Sequence, residues 1–133
     1  MTIVVGYSPQ PTGEAALLAA IERALEKDED LVVVNITRGD AYADPNFARK
    51  QDLQRVKRQL DDAGVRHDLR QDTVAEGAAH AILDAAGKDG VTLVVIGVRH
   101  RSAVGKLIMG SVAQSVILGA HVPVLSVKAS PGE

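Results

Sequence analysis

The sequence predicts an α/β fold: a doubly wound, Rossmann-like domain with a five-stranded, mostly parallel sheet in the order 3-2-1-4-5 and four helices. Three observations lead there. Five strand-like runs alternate with four helical runs along the chain. Two of the runs, Leu31-Val32-Val33-Val34 and Leu93-Val94-Val95-Ile96, are unbroken and rich in β-branched residues, as in strands buried on both faces of a parallel sheet. No internal repeat or linker interrupts the alternation, so residues 1–133 are expected to form one domain, with a tail at 129–133.

The expected strands are Ile3 to Tyr7, Leu31 to Ile36, Arg66 to Gln71, Leu93 to Gly97 and Val122 to Val127. Arg66 to Gln71 is polar and reads as an edge strand. Apolar residues at helical spacing mark the helices between them: Leu17, Leu18, Ile21, Ala24 and Leu25; Leu53, Val56, Leu60 and Ala63; Ala75, Ala78, Ala79, Ile82 and Leu83; Val112, Ala113, Val116, Ile117 and Ala120. Thr73 and Glu76 have the spacing of a capping box before the third helix. Gly64, and Gly119 or Ala120, stand where the second and fourth helices should stop. Such sheets bind ligands beyond the carboxyl ends of their strands, where the winding reverses. The loops that matter are therefore Ser8 to Gly13 and Val98 to Met109.

Composition narrows the class. Of 133 residues, 46% are apolar and 24% charged, the balance of a folded globular chain. Cysteine is absent, which excludes disulfides and thiolate metal sites and fits a reducing compartment. The amino terminus runs straight into a strand-like segment without the features of a signal peptide, and no apolar run nears the roughly 20 residues of a membrane span. A cytoplasmic protein is expected, with no membrane partner. A net charge of −2 and 2% aromatic residues offer little to nucleic acid, so any anionic ligand must be small and held locally.

The segment from Val94 to Val116 carries the chemistry. Gly97 ends a buried strand, a basic loop with Arg99, Arg101 and Lys106 follows, and Gly110-Ser111 opens a helix. That arrangement suits a phosphate chain: glycines let the backbone approach, helix-start N–H groups point outward, and the helix dipole favours negative charge. Ser111 adds a hydroxyl donor. Gly105-Lys106 is not a P-loop, because that motif needs Gly at position 100 and Ser or Thr at 107, where the chain has His100 and Leu107.

These residues resemble the universal stress protein family, whose ATP-binding members show Gly, two residues, Gly, nine residues, then Gly and Ser or Thr. Gly97, Gly110 and Ser111 match that pattern, and His100 stands where the second glycine would be. The likeness extends to the opening Ile3-Val4-Val5-Gly6-Tyr7 and the closing Val122-Pro123-Val124-Leu125-Ser126-Val127. Ser8 occupies the place of an aspartate that contacts the nucleoside in many members, and Ile36 matches the apolar position that packs on adenine. The resemblance implies ATP, or AMP, as ligand, with Mg²⁺ carried by the phosphates. The expected nucleotide-binding residues are Tyr7, Ser8, Ile36, Gly97, Arg99, His100, Arg101, Gly110, Ser111 and Val112. It also implies a homodimer through the last strand, whose apolar edge is otherwise unpaired.

No catalytic or protein-ligated metal constellation is expected. His67, His80, His100 and His121 lack ligand pairing, and neither Ser102 nor Ser111 sits in a Gly-x-Ser-x-Gly elbow. Asp40, Asp44 and Asp61-Asp62 do not converge. The mixed charges Arg49, Lys50, Asp52, Arg55, Lys57 and Arg58 read as a solvated helix face. The leading expectation is a stress-response regulatory module binding ATP at the carboxyl ends of strands 1 and 4. The alternatives are a slow ATPase or self-phosphorylating protein with Ser111 near the terminal phosphate, and a nucleotide-free interaction protein in which His100 blocks the site.

Overall fold

The computed structural model describes residues 1–37, 47–73, 77–98 and 110–129. Among them five strands and four helices alternate: β1 (Thr2–Gly6), α1 (Pro11–Lys27), β2 (Asp30–Thr37), α2 (Lys50–Ala63), β3 (His67–Thr73), α3 (Ala78–Ala86), β4 (Val91–Val98), α4 (Ser111–Gly119) and β5 (Val124–Lys128). The strands form one sheet in the order β3-β2-β1-β4-β5, as the sequence predicts, and every pair is parallel. β1 and β4 lie side by side, Ile3 opposite Leu93 and Val5 opposite Val95. The winding reverses between them, so the turns leaving β1 and β4 share one end of the sheet.

Both faces of the sheet are covered. Alternate side chains of β1 go to opposite faces: Ile3 and Val5 join Leu17, Ile21, Leu31, Val33, Val56, Leu60 and Val95 beneath α1 and α2. Val4 joins Val34, Ile82, Val94, Ile96 and Val116 beneath α3 and α4. This is why the central strands tolerate no polar face and read as unbroken apolar runs. Gly6 makes room on the second face, where a Cβ would come within 2.7 Å of the Ile82 Cδ1.

The helix ends follow local chemistry. Pro11 starts α1, where its missing N–H is not needed, and Asp28 ends the helix in the left-handed region with its N–H on the Ala24 carbonyl. The α2 start is held by the Asp52 carboxylate, which accepts the Arg49 N–H at 2.9 Å, and its end by Gly64 at φ 76°. Thr73, expected to cap the third helix, is instead the last residue of β3, paired with Thr37, and α3 starts after Gly77 at φ 90°. Continuing the ladder satisfies the backbone of Thr73 before a helix can recruit it. Ala75 and Glu76 lie outside the described residues.

Two apolar stripes are wider than the surfaces they cover. Leu18 and Leu25, seven residues apart on α1, are 53% and 52% exposed, because the buried face of the helix is the one carrying Gly13, Ala16, Leu17, Ala20, Ile21 and Ala24. On α4 only Ala113 and Val116 are buried, whereas Val112, Ile117 and Leu118 face outward. Leu60 is fully buried between α2 and the sheet. Its truncation in Leu60→Ala should destabilise the protein by about 2–5 kcal/mol, read as a lower urea midpoint with an unchanged slope.

Candidate functional site

The turn leaving β1 is pinned by Tyr7. Its N–H donates to the Val34 carbonyl at 2.9 Å, extending the ladder one residue beyond β1. Its carbonyl accepts the side-chain amide of the buried Asn35 at 2.8 Å. Its hydroxyl donates to the Glu14 carboxylate at 2.8 Å and accepts from the Arg55 guanidinium at 3.2 Å. The phenol is therefore turned into the α1–α2 face with 4% of the residue exposed, and its polar atom is engaged by protein. Sequence reading assigned Arg55 to a solvated helix face; half-exposed, it instead forks across both Glu14 oxygens, at 3.2 and 2.6 Å.

Asn35 joins three strands to the segment before α2. Its carbonyl oxygen accepts the Ala48 N–H at 2.8 Å and the Gln71 amide at 2.9 Å, and the same Gln71 nitrogen reaches the Ala48 carbonyl at 2.6 Å. A polar side chain buried to this depth is stable only when so satisfied. This cluster was missed in the sequence; Asn35, a polar residue interrupting the run Leu31 to Ile36, is the one feature that could have pointed to it, and nothing singled out Glu14, Arg55 or Gln71.

Two glycines allow the turns to pack. A Cβ at Gly13 would overlap the backbone and hydroxyl of Ser8, so Ser8 lies directly on the first turn of α1. A Cβ at Gly97 would overlap the Thr12 carbonyl, so the end of β4 abuts that same turn. Gly97, a candidate from its motif, thus has a packing duty: its side-chain direction is filled by α1, leaving its peptide groups as its polar contribution. Gly13, expected to end a loop, lies inside α1.

Gly110 is different. It precedes α4 with φ −68° and ψ 159°, a conformation open to any residue, and a Cβ there would meet nothing within 4 Å among the described residues. Ser111 and Val112 follow on an exposed first turn that no described side chain caps. Exposed helix-start N–H groups and the positive end of a helix dipole suit a small anion. As the crossover from β4 to β5, α4 begins at the end of the sheet where Ser8 and Gly97 lie. Ile36 pairs with Asp72 near the end of β2. Arg99, His100 and Arg101 lie outside the described residues, as do Lys106 and Ser102. No group of three or more His, Cys, Asp or Glu side chains that could hold a metal occurs among the described residues, and no described helix is long and apolar enough to cross a membrane.

Burial, reinforced by the bond to Glu14, raises the Tyr7 phenol well above its ordinary value of about 10. The folded state therefore keeps a proton that the unfolded chain releases, and the stability this contributes is complete below about pH 10 and lost as pH rises beyond it. With Tyr42→Phe, Tyr7 is the sole tyrosine of a chain without tryptophan. Its phenolate absorbance should then appear only together with the loss of helical circular dichroism. Phenolate formation at about pH 10 with the fold intact would contradict the burial of this group.

Comparison with known proteins agrees with this architecture. The model of the universal stress protein family matches residues 1–128. A universal stress protein of Mycolicibacterium smegmatis is 47% identical over 126 residues, covering 95% of this chain and 96% of that one. Among solved structures, a universal stress protein from Archaeoglobus fulgidus is 30% identical with a TM-score of 0.70, covering 96% of this chain and 98% of that one. The structure of the universal stress protein from Archaeoglobus fulgidus in complex with dAMP is 25% identical with a TM-score of 0.63, again over 96% and 98%. With the strand order, the winding and the family match over nearly its whole length in agreement, this chain belongs to the universal stress protein family.

Proposed function

We propose that residues 1–133 form one cytoplasmic, nucleotide-binding regulatory domain of the stress response, holding ATP or AMP at the carboxyl ends of β1 and β4. The observation that carries this reading is the start of α4: among the described residues nothing fills the space where a side chain of residue 110 would go, and the exposed turn of Ser111 and Val112 follows it. Phosphates are assigned to that turn and to Arg99, His100 and Arg101, with Mg²⁺ carried by the phosphates. Ribose is assigned to Ser8 and the Gly97 peptide, and adenine to the ends of β1 and β2 at Tyr7 and Ile36. For Tyr7 the contact is van der Waals contact of its main chain, since its N–H, carbonyl and hydroxyl are all engaged within the protein. The dAMP complex of the relative from Archaeoglobus fulgidus supports the adenine class.

Calorimetric titration with Mg-ATP, Mg-GTP and AMP tests the assignment. Saturable heats are expected for ATP and AMP and not for GTP. A side chain at position 110 should obstruct the phosphates, so Gly110→Val should weaken ATP by more than about tenfold, roughly 1.4 kcal/mol, and AMP by less. Wild-type protein that takes up neither adenine nucleotide would overturn the reading.

The same domain is proposed to dimerise through β5, an edge strand whose outer side carries no strand among the described residues. The Val94 N–H donates to the Pro123 carbonyl, and the alternation of a parallel ladder then directs the peptide groups of Val124, Ser126 and Lys128 outward. Ser126→Pro removes one outward donor while sparing the β4 ladder. It should shift the sedimentation velocity species from dimer to monomer.

A further inference from the structure

We infer that Glu14 and Arg55 are the positioning pair for the nucleoside end of the site, acting through Tyr7; this rests on the nucleotide reading above. All three polar groups of Tyr7 are gripped, by one strand and two helices. β2 takes its N–H through Val34 and its carbonyl through Asn35, while its hydroxyl goes to Glu14 on α1 and Arg55 on α2. Ser8 comes next in the chain and rests on Gly13, one residue before Glu14. The placement of Ser8 is thus set on one side by Tyr7 and on the other by the first turn of α1.

The same grip reaches the chain segment that arrives at α2. Asn35, which holds the Tyr7 carbonyl, also accepts the Ala48 N–H at 2.8 Å. The Arg49 N–H goes to Asp52 at 2.9 Å, and a second oxygen of Asp52 stands 3.8 Å from Arg55. Arg55 returns to the Tyr7 hydroxyl, so a closed circuit runs from Tyr7 through Asn35, Ala48, Asp52 and Arg55 back to Tyr7. One guanidinium therefore fixes the turn leaving β1 against the residues that lead into α2.

Exposure separates positioning from stabilisation. The Arg55 and Glu14 side chains are 49% and 34% exposed, and ion pairs so open to water add little to global stability. What the bidentate fork does supply is directional constraint on a phenol that is otherwise held by packing. A residue that positions the nucleoside end must affect every adenine nucleotide alike, whatever its phosphate count. A residue at the phosphate end must not.

The test titrates AMP and Mg-ATP into wild type, Glu14→Gln, Arg55→Gln, the double variant and Arg55→Lys. Each single Gln variant should weaken AMP and ATP by the same factor, about tenfold, the scale of one charge-assisted hydrogen bond. The double variant should be no weaker than either single, because both break one circuit. Arg55→Lys, which keeps the charge, should recover part of the affinity, and cooperative thermal unfolding should be nearly unchanged throughout. Wild-type AMP binding with unaltered binding by both Gln variants would overturn the inference and leave the nucleotide reading standing. Losses that multiply in the double variant, or Gln variants that no longer unfold cooperatively, would overturn it too. Absence of adenine nucleotide binding by the wild type would overturn both.

Discussion

The arrangement at the carboxyl end of the sheet depends on β1 lying between β2 and β4 with every neighbour parallel. A parallel pair cannot be joined by a tight hairpin, so each connection must cross a face of the sheet and carry a helix with it. Because the chain winds outward from β1 first to one side and then to the other, α1 and α2 cover one face and α3 and α4 the other. The turns after β1 and β4 are then forced apart in direction but together in space.

The close packing of those turns fixes what each glycine is for. Gly97 and Gly13 are places where the chain has no room, one beside the Thr12 carbonyl and the other beside Ser8. At Gly110 no described residue stands where a side chain would go. Glycines at this end of the sheet therefore do opposite things. Those at 97 and 13 draw β4, α1 and the β1 turn into one rigid assembly, and the one at 110 leaves the start of α4 accessible.

Much of the architecture was legible because periodicity reports burial directly. Unbroken β-branched runs marked the central strands, and the polar run around Arg66 to Gln71 marked β3 as an edge, which the strand order agrees with. Helix periodicity was less informative about exposure: Leu18, Leu25, Val112 and Ile117 keep helical spacing yet face outward, since spacing says nothing of how much surface a neighbour covers. The Thr73 cap failed for a related reason, because ladder pairing with Thr37 competes for the same backbone and a short motif cannot express that competition. At the site, family spacing pointed to Gly97 and Gly110 but could not distinguish a packed glycine from an open one. Glu14 and Arg55 are 41 residues apart in sequence, and only the fold brings them to the Tyr7 hydroxyl.

The two margins of the sheet are chemically unlike. Along β3 the exposed Asp68 and Arg70 pair at 2.7 Å, and Arg66 just before it pairs with Asp30 at 2.6 Å, so that margin presents hydrated charge. Charges on an edge strand oppose its extension by another chain. β5 carries Lys128 but otherwise offers Val124, Leu125, Ser126 and Val127. Association through β5 about a two-fold axis would consume both receptive margins and leave a charged β3 at each outer limit. Such an assembly terminates at two copies, and a ten-stranded sheet cannot grow into a fibre.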